Sequence, residues 1–128
     1  MSNHETNKNQ LYGLNEFFLE LSNLYDKNIL PNKILLSGKK GTGKATLSYH
    51  LINYALSKNE DYSYNKNDFI INELNKSSKL INNNTHPNFY LIDVLKDKKN
   101  IEINQIRQLI TYMNKSSFND KPRFILID

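Results

Sequence analysis

The chain has 128 residues, no cysteine, a formal net charge of +4 and a pI near 9.2. These values bound it to one domain and exclude disulfides and thiolate metal sites; nucleic-acid binding is permitted but not indicated, since charged residues of both signs make up 23% of the chain. His4, His50 and His86 are too scattered for a zinc cluster, no apolar run approaches the ~20 residues that span a bilayer, and no leader pattern opens the chain, so a cytoplasmic protein without a membrane partner is expected.

Residues 1–10 are polar and aperiodic, which predicts a frayed terminus ahead of one folded domain over 11–128. From Leu14, apolar residues at Phe17, Phe18, Leu21, Leu24 and Tyr25 predict a helix that ends near Asn28, before Pro31. Ile34, Leu35 and Leu36 form a short run ending at Ser37-Gly38, the pattern of a strand covered on both faces. Leu47, Leu51 and Ala55 then mark the packed face of a helix reaching about Leu56.

Residues 59–67 read as a polar loop, and Phe69, Ile70, Leu74 and Ile81 predict a further helix stopped by Asn82-Asn83-Asn84 and His86-Pro87. Phe89 to Val94 predicts a strand, and Ile103, Ile106, Leu109, Ile110 and Met113 a helix with Asn104 placed to cap it. Phe124 to Ile127 is a third strand of the buried type, followed by Asp128. Strands alternating with helices in this way predict an α/β domain with a mainly parallel sheet.

The chemistry sits between the first strand and the helix that follows it. Gly38-Lys39-Lys40-Gly41-Thr42-Gly43-Lys44-Ala45 follows the phosphate-binding pattern G-x-x-x-x-G-K, except that Ala45 stands where Ser or Thr is usual. Glycines there let successive N–H groups turn toward phosphate oxygens at the positive end of a helix, and Lys44 supplies a cation for the outer phosphates. A glycine-rich turn that merely caps a helix shares part of this pattern; the preceding strand, the following helix and Gly41 favour the phosphate loop. The predicted nucleotide-binding residues are Gly38, Lys39, Lys40, Gly41, Thr42, Gly43, Lys44, Ala45 and Thr46.

The hydroxyl missing at Ala45 normally completes a magnesium shell, and Thr46, rotated by about 100° along the helix, is poorly placed to replace it. ATP or ADP binding with weak or absent hydrolysis is therefore expected. Asp128, after four apolar residues, has the look of a Walker B carboxylate that holds Mg2+. An ordinary strand with a polar end is the alternative. Lys39, Lys40, Lys96, Lys98, Lys99, Lys121 and Arg123 could line a DNA-facing strip, although scattered lysines are more often simply solvated.

Leu11-Tyr12-Gly13-Leu14, Leu30-Pro31-Asn32, Gly41-Thr42-Gly43-Lys44-Ala45-Thr46-Leu47, His86-Pro87-Asn88, Ile103-Asn104-Gln105-Ile106-Arg107 and Arg123-Phe124-Ile125-Leu126-Ile127-Asp128 together resemble the AAA+ clamp-loader family of bacterial DNA polymerase III, its delta prime branch most of all. The resemblance runs from Leu11 over nearly the whole chain. His86-Pro87 and the I-x-x-I-R helix carry most of it, because a generic P-loop protein needs neither.

The resemblance implies a partial P-loop NTPase domain of the AAA+ type, its parallel sheet flanked by helices and cut off after the Walker B strand. Sensor residues, arginine finger, lid and collar would then lie beyond Asp128. Such sheets have the strand order 5-1-4-3-2, in which a later strand separates the strand ending at Asp128 from the strand ending at Ser37, so a gap or a substitute pairing is expected. Relatives often carry a cysteine-rich zinc module, whereas Ser57 to Thr85 has no cysteine, which implies no zinc. The implied role is in DNA replication, as a component of the polymerase holoenzyme that helps load the sliding clamp on primed DNA with gamma/tau and delta subunits as partners. The alternatives are a P-loop enzyme such as a nucleotide kinase, with Arg107 or Arg123 as a substrate clamp, and another AAA+ ATPase of DNA metabolism.

Overall fold

The computed structural model describes residues 9–31, 34, 43–92, 100–115 and 121–127, in which three helices precede a strand, a helix and a second strand. The elements are α1 (Asn15–Asp26), α2 (Lys44–Leu56), α3 (Lys76–Asn82), β1 (Phe89–Ile92), α4 (Ile103–Met113) and β2 (Phe124–Ile127). They fall into two units, Met1–Lys79 and Leu80–Asp128, which are taken in turn.

The core of the first unit forms around Phe18, which is fully buried with Leu11, Leu47, Tyr64 and Ile71 beside it. Its ring meets Tyr54 and Phe69 edge-on, with centroids 5.8 and 5.9 Å apart, and lies tilted against Tyr64 at 5.0 Å. Edge contacts of this kind suit the aromatic quadrupole. Phe17, which shares the apolar spacing of α1, instead points to solvent. The helix stops as predicted at Asn28, whose left-handed φ of 60° lets Asn28 N–H reach Tyr25 O and Ile29 N–H reach Leu24 O, the double bond of a Schellman end.

Leu47, Leu51 and Ala55 are buried along α2 as their spacing predicts, and His50, Ile52, Asn53 and Leu56 are buried as well. The expected helix from Phe69 is corrected: α3 starts only at Lys76. Asn65 and Ile70 exchange backbone bonds of 3.0 and 3.1 Å in an antiparallel bridge, the Asn65 side chain accepts the Asp68 amide, and Phe69 adopts a φ of 56°. The asparagine side chain thus offers the backbone a turn in competition with a helix.

Gln10 also bridges to Ile70, Asn9 O accepts the Ile71 amide and Leu11 N–H donates to Phe69 O, so Asn9 and Gln10, placed in the expected frayed terminus, are bonded to the 69–71 segment, while residues 1–8 lie outside the described residues. Asn75 caps α3, its Oδ1 accepting the Ser78 amide at 2.7 Å. At the other end, Asn84 takes a φ of 57° and Thr85 N–H reaches Leu80 O, a second Schellman end where the asparagine run predicts a stop.

In the second unit β1 and β2 pair in parallel, with Phe89 opposite Phe124 and Ile92 opposite Ile127, and α4 connects them. These are the two strands that the resemblance sets side by side. Asp93 and Val94, included in the predicted strand, lie outside the described residues. The cap expected at Asn104 is corrected: Glu102 is the N-cap, in a capping box with Gln105, and Asn104 lies inside the first turn.

The sheet-facing side of α4 also differs from the predicted stripe. Tyr112 stacks on Tyr90 of β1 at 4.9 Å and Leu109 is half-buried, whereas Ile103, Ile106, Ile110 and Met113 are exposed. Phe89 and Ile92 are buried, but Ile127 is 61% exposed, so the buried-type reading of β2 holds only in part. A continuous apolar strand needs both faces covered, and the side of β2 bearing Ile125 and Ile127 is open.

Candidate functional site

The end of the predicted phosphate loop is Gly43, which caps α2 with a φ of 89°. Left-handed backbone at this point is costly for any residue with a side chain. Among the described residues no side chain caps the helix, and its first turn carries no acidic residue. Helix starts of this kind direct amides and the positive end of the macrodipole outward.

Lys44, Ala45 and Thr46 form the first turn beside Gly43, all partly exposed, while Leu47 is buried and holds the turn down. Of the predicted nucleotide-binding residues, these four are brought together; Gly38, Lys39, Lys40, Gly41 and Thr42 lie outside the described residues, as do the Leu35-Leu36 part of the predicted strand and Asp128. Ile34 is described and is not in a strand. The turn fits an anion, and Ala45 presents no oxygen for a metal, so the residues suit nucleotide phosphate better than direct magnesium ligation.

Leu14 approaches from the start of α1: a Cβ built on Gly43 would stand 3.4 Å from Leu14 Cδ1. Further along α2, His50 Nδ1 lies 2.6 Å from the Tyr64 hydroxyl in a buried pair, and burial pushes the phenol well above its ordinary pKa. Asn53 and Asn75 exchange side-chain bonds, and Ser57 Oγ accepts the Tyr64 amide at 3.0 Å. The helix that opens at Lys44 is therefore tied by polar bonds to the segment after it. Tyr64, Asn53, Asn75 and Ser57 escape a reading based on apolar spacing; Asn53, Ser57 and Asn75 are polar residues within or next to helices, and Tyr64 lies in the loop between α2 and α3.

At the end of α1, Asp26 gathers Lys58, Lys66 and the Tyr54 hydroxyl, the last at 2.5 Å. Partial burial alone would raise its pKa, but hydrogen bonds from Lys58 and Tyr54 and the charges of Lys58 and Lys66 outweigh it and hold the carboxyl below the usual range. Lys58 also lies 4.9 Å from the Tyr54 ring centroid and 5.5 Å from that of Tyr25. The Asp26 bond in turn raises the Lys58 pKa.

Arg123, a candidate for a DNA strip or a substrate clamp, is engaged within its own unit. Its guanidinium donates to the carbonyls of Tyr112, Lys115 and Met113 at the end of α4 and lies over the Tyr112 ring. Basic groups suit that negative end of a helix. Lys121 presents its carbonyl to Asn88 Nδ2, and Lys39, Lys40, Lys96, Lys98 and Lys99 lie outside the described residues.

The His86-Pro87-Asn88 segment serves the same unit. His86 Nδ1 accepts the Asn88 amide at 3.0 Å, Asn88 Nδ2 holds Lys121 O and Pro122 O, and Tyr112 donates to Pro87 O at 2.9 Å. A nitrogen that accepts an N–H carries no proton, so this geometry requires the neutral ring.

Among the described residues no three His, Asp or Glu side chains gather to hold a metal, and no helix is long and apolar enough to cross a membrane. The family model described as DNA polymerase III, delta subunit, matches residues 13–128. No curated protein matches the chain.

Proposed function

Because the chain belongs to the DNA polymerase III delta-subunit family of clamp-loader proteins, we propose that it acts in DNA replication as a delta prime type subunit of the clamp loader. In this role it assembles in the cytoplasm with gamma/tau and delta subunits and helps place the sliding clamp on primed DNA. The family match over residues 13–128 is the observation that carries the reading.

The loop from Gly38 to Thr46 binds ATP or ADP in this reading, with Lys44 on the outer phosphates and the amides of the first turn of α2 behind them. The left-handed Gly43 at the start of α2 supports it. Magnesium arrives with the nucleotide, Asp128 holds it through water, and no zinc is used. Lacking a hydroxyl at position 45, the chain binds nucleotide without appreciable turnover and works as a component of the holoenzyme, not as a catalyst in its own right.

Co-elution of the purified chain with polymerase III gamma/tau and delta subunits, followed by clamp loading on primed DNA, tests the assembly. Failure to associate with either subunit overturns it. ATP turnover by the chain alone at the rates of an active AAA+ ATPase overturns the non-hydrolytic reading.

A further inference from the structure

Within the second unit, the start of β2 is set beside the start of β1 through one residue. Asn88, just before β1 and 2% exposed, holds Lys121 O and Pro122 O at 3.1 and 3.2 Å through Nδ2, and its carbonyl accepts the Phe124 amide at 2.7 Å.

Asn88 is itself held by a side chain that can take up a proton. Its amide donates to His86 Nδ1 at 3.0 Å, and the turn is fastened further by the Phe89 amide on His86 O at 3.3 Å and the Tyr112 hydroxyl on Pro87 O at 2.9 Å. A proton on Nδ1 turns the acceptor into a donor, so two N–H groups face each other in a buried turn. That pair does not hold, and Asn88 has to turn away with the bonds it makes to the residues ahead of β2.

The described groups nearby do not offset such a charge. On the elements that this turn joins, the titratable and charged residues are Lys76 and Lys79 on α3, Tyr90 on β1, Glu102, Arg107 and Tyr112 on or at the start of α4, and Lys115, Lys121 and Arg123 after it. Glu102, the acid among them, is engaged in the capping box, ten residues and about 15 Å of helix before Tyr112. Burial raises the Tyr112 pKa and keeps its phenol neutral, and the Arg123 guanidinium beside that ring is a cation.

We propose that His86-Pro87-Asn88 is a pH-sensitive clasp: the neutral His86 ring keeps Asn88 on the residues ahead of β2, and protonation of its Nδ1 releases that end of the strand from β1. An ordinary imidazole takes up a proton near about pH 6.5. Because the ring accepts one only on leaving its bond, the clasp is whole above that pH and weakens as pH falls below it. Arg123 grips Tyr112 O, Lys115 O and Met113 O with a group that stays charged throughout, so the response is confined to the joint between the strands.

Hydrogen exchange followed by NMR on the full chain tests this. Corrected for the intrinsic rate, protection of the Phe124 amide should fall about tenfold from about pH 7.5 to about pH 5.5, the ratio for one proton bound near 6.5 by the released state. The nitrogen shifts of His86 at the higher pH should show Nδ1 without a proton. His86→Asn, whose Oδ1 accepts in place of Nδ1 and does not titrate, should keep the protection over the whole range, and His86→Ala should lose it at both ends.

Protection at Phe124 that ignores pH, or a His86 ring that carries its proton on Nδ1 at the higher pH, overturns the clasp. A tenfold fall that persists in His86→Asn also overturns it, by assigning the effect to another group. Should His86→Asn not fold, the parent decides: the His86 nitrogen shifts must move together with the protection of Phe124, and a change in one without the other ends the proposal.

Discussion

Asn53 and Asn75 bond to each other in both directions, Asn53 Nδ2 to Asn75 Oδ1 at 3.3 Å and Asn75 Nδ2 to Asn53 Oδ1 at 3.1 Å, with both side chains almost fully buried. Asn75 also reaches Tyr62 O and accepts the Ser78 amide, so one amide serves α2, the following loop and the cap of α3. Asn75→Ala strands several buried groups at once. A loss of about 2–4 kcal/mol in urea unfolding is expected, combining a lost cap with unsatisfied buried partners.

Phe69 should show an inverted glycine preference. Its ring is packed edge-on to Phe18 while its backbone has a φ of 56°. Phe69→Ala loses the packing and keeps the strain, whereas Phe69→Gly loses the packing and relieves it. The glycine variant is expected to be the more stable of the two by about 1 kcal/mol, read from denaturant midpoints.

Gly43→Ala places a Cβ at a left-handed position, 3.4 Å from Leu14 Cδ1. The backbone penalty is about 1–2 kcal/mol. Unless the cap changes shape, that cost appears as lower stability; if the cap relaxes, it appears as weaker ATP binding in calorimetric titration.

Ala45→Thr restores an oxygen at the first turn of α2, where the alanine offers a metal no ligand. Binding of ATP should become more strongly magnesium-dependent, by about tenfold or roughly 1.4 kcal/mol. Titrations with and without the metal measure this directly.

Acid should loosen the Asp26 cluster. Its carboxyl pKa is lower in the folded chain, so the unfolded state takes up protons first as pH falls. The contribution is present above the ordinary carboxylate value of about 3.9 and disappears as pH drops through the lowered folded value. Asp26→Asn is expected to flatten the stability profile in that acid window and to leave a constant deficit at neutral pH, followed by thermal melts across pH.

Much of this fold was legible because the deciding forces were local. The four-residue spacing of Leu47, Leu51 and Ala55 places α2, and the asparagines at 28 and 84 mark two helix ends because a short polar side chain tolerates left-handed backbone. Phe69 was misread because its apolar neighbours suit a helix while Asn65, four residues earlier, offers a competing turn. Asn104 lost the cap of α4 to Glu102 because the pair of bonds with Gln105 satisfies two amides at once.

The candidate site was legible as a pattern of glycines and one lysine, and the structure gathers Gly43, Lys44, Ala45 and Thr46 at one helix start. The ties that hold that helix were not, since the pairing of His50 with Tyr64 and of Asn53 with Asn75 depends on chain reversals rather than on spacing. The carbonyl partners of Arg123 lie on another element and have no sequence signature.

The two Schellman ends also explain a frugality in the sequence. With asparagine serving as the stop signal after α1 and α3, this chain of 128 residues spends only four glycines, and three of them fall between positions 38 and 43. Elsewhere a substitution of one hinge residue by another is cheap, because the stop already tolerates a side chain. At Gly13 and Gly43, with φ of 73° and 89°, the left-handed backbone is carried by glycine instead, and the chain's tolerance to replacement should be narrower there.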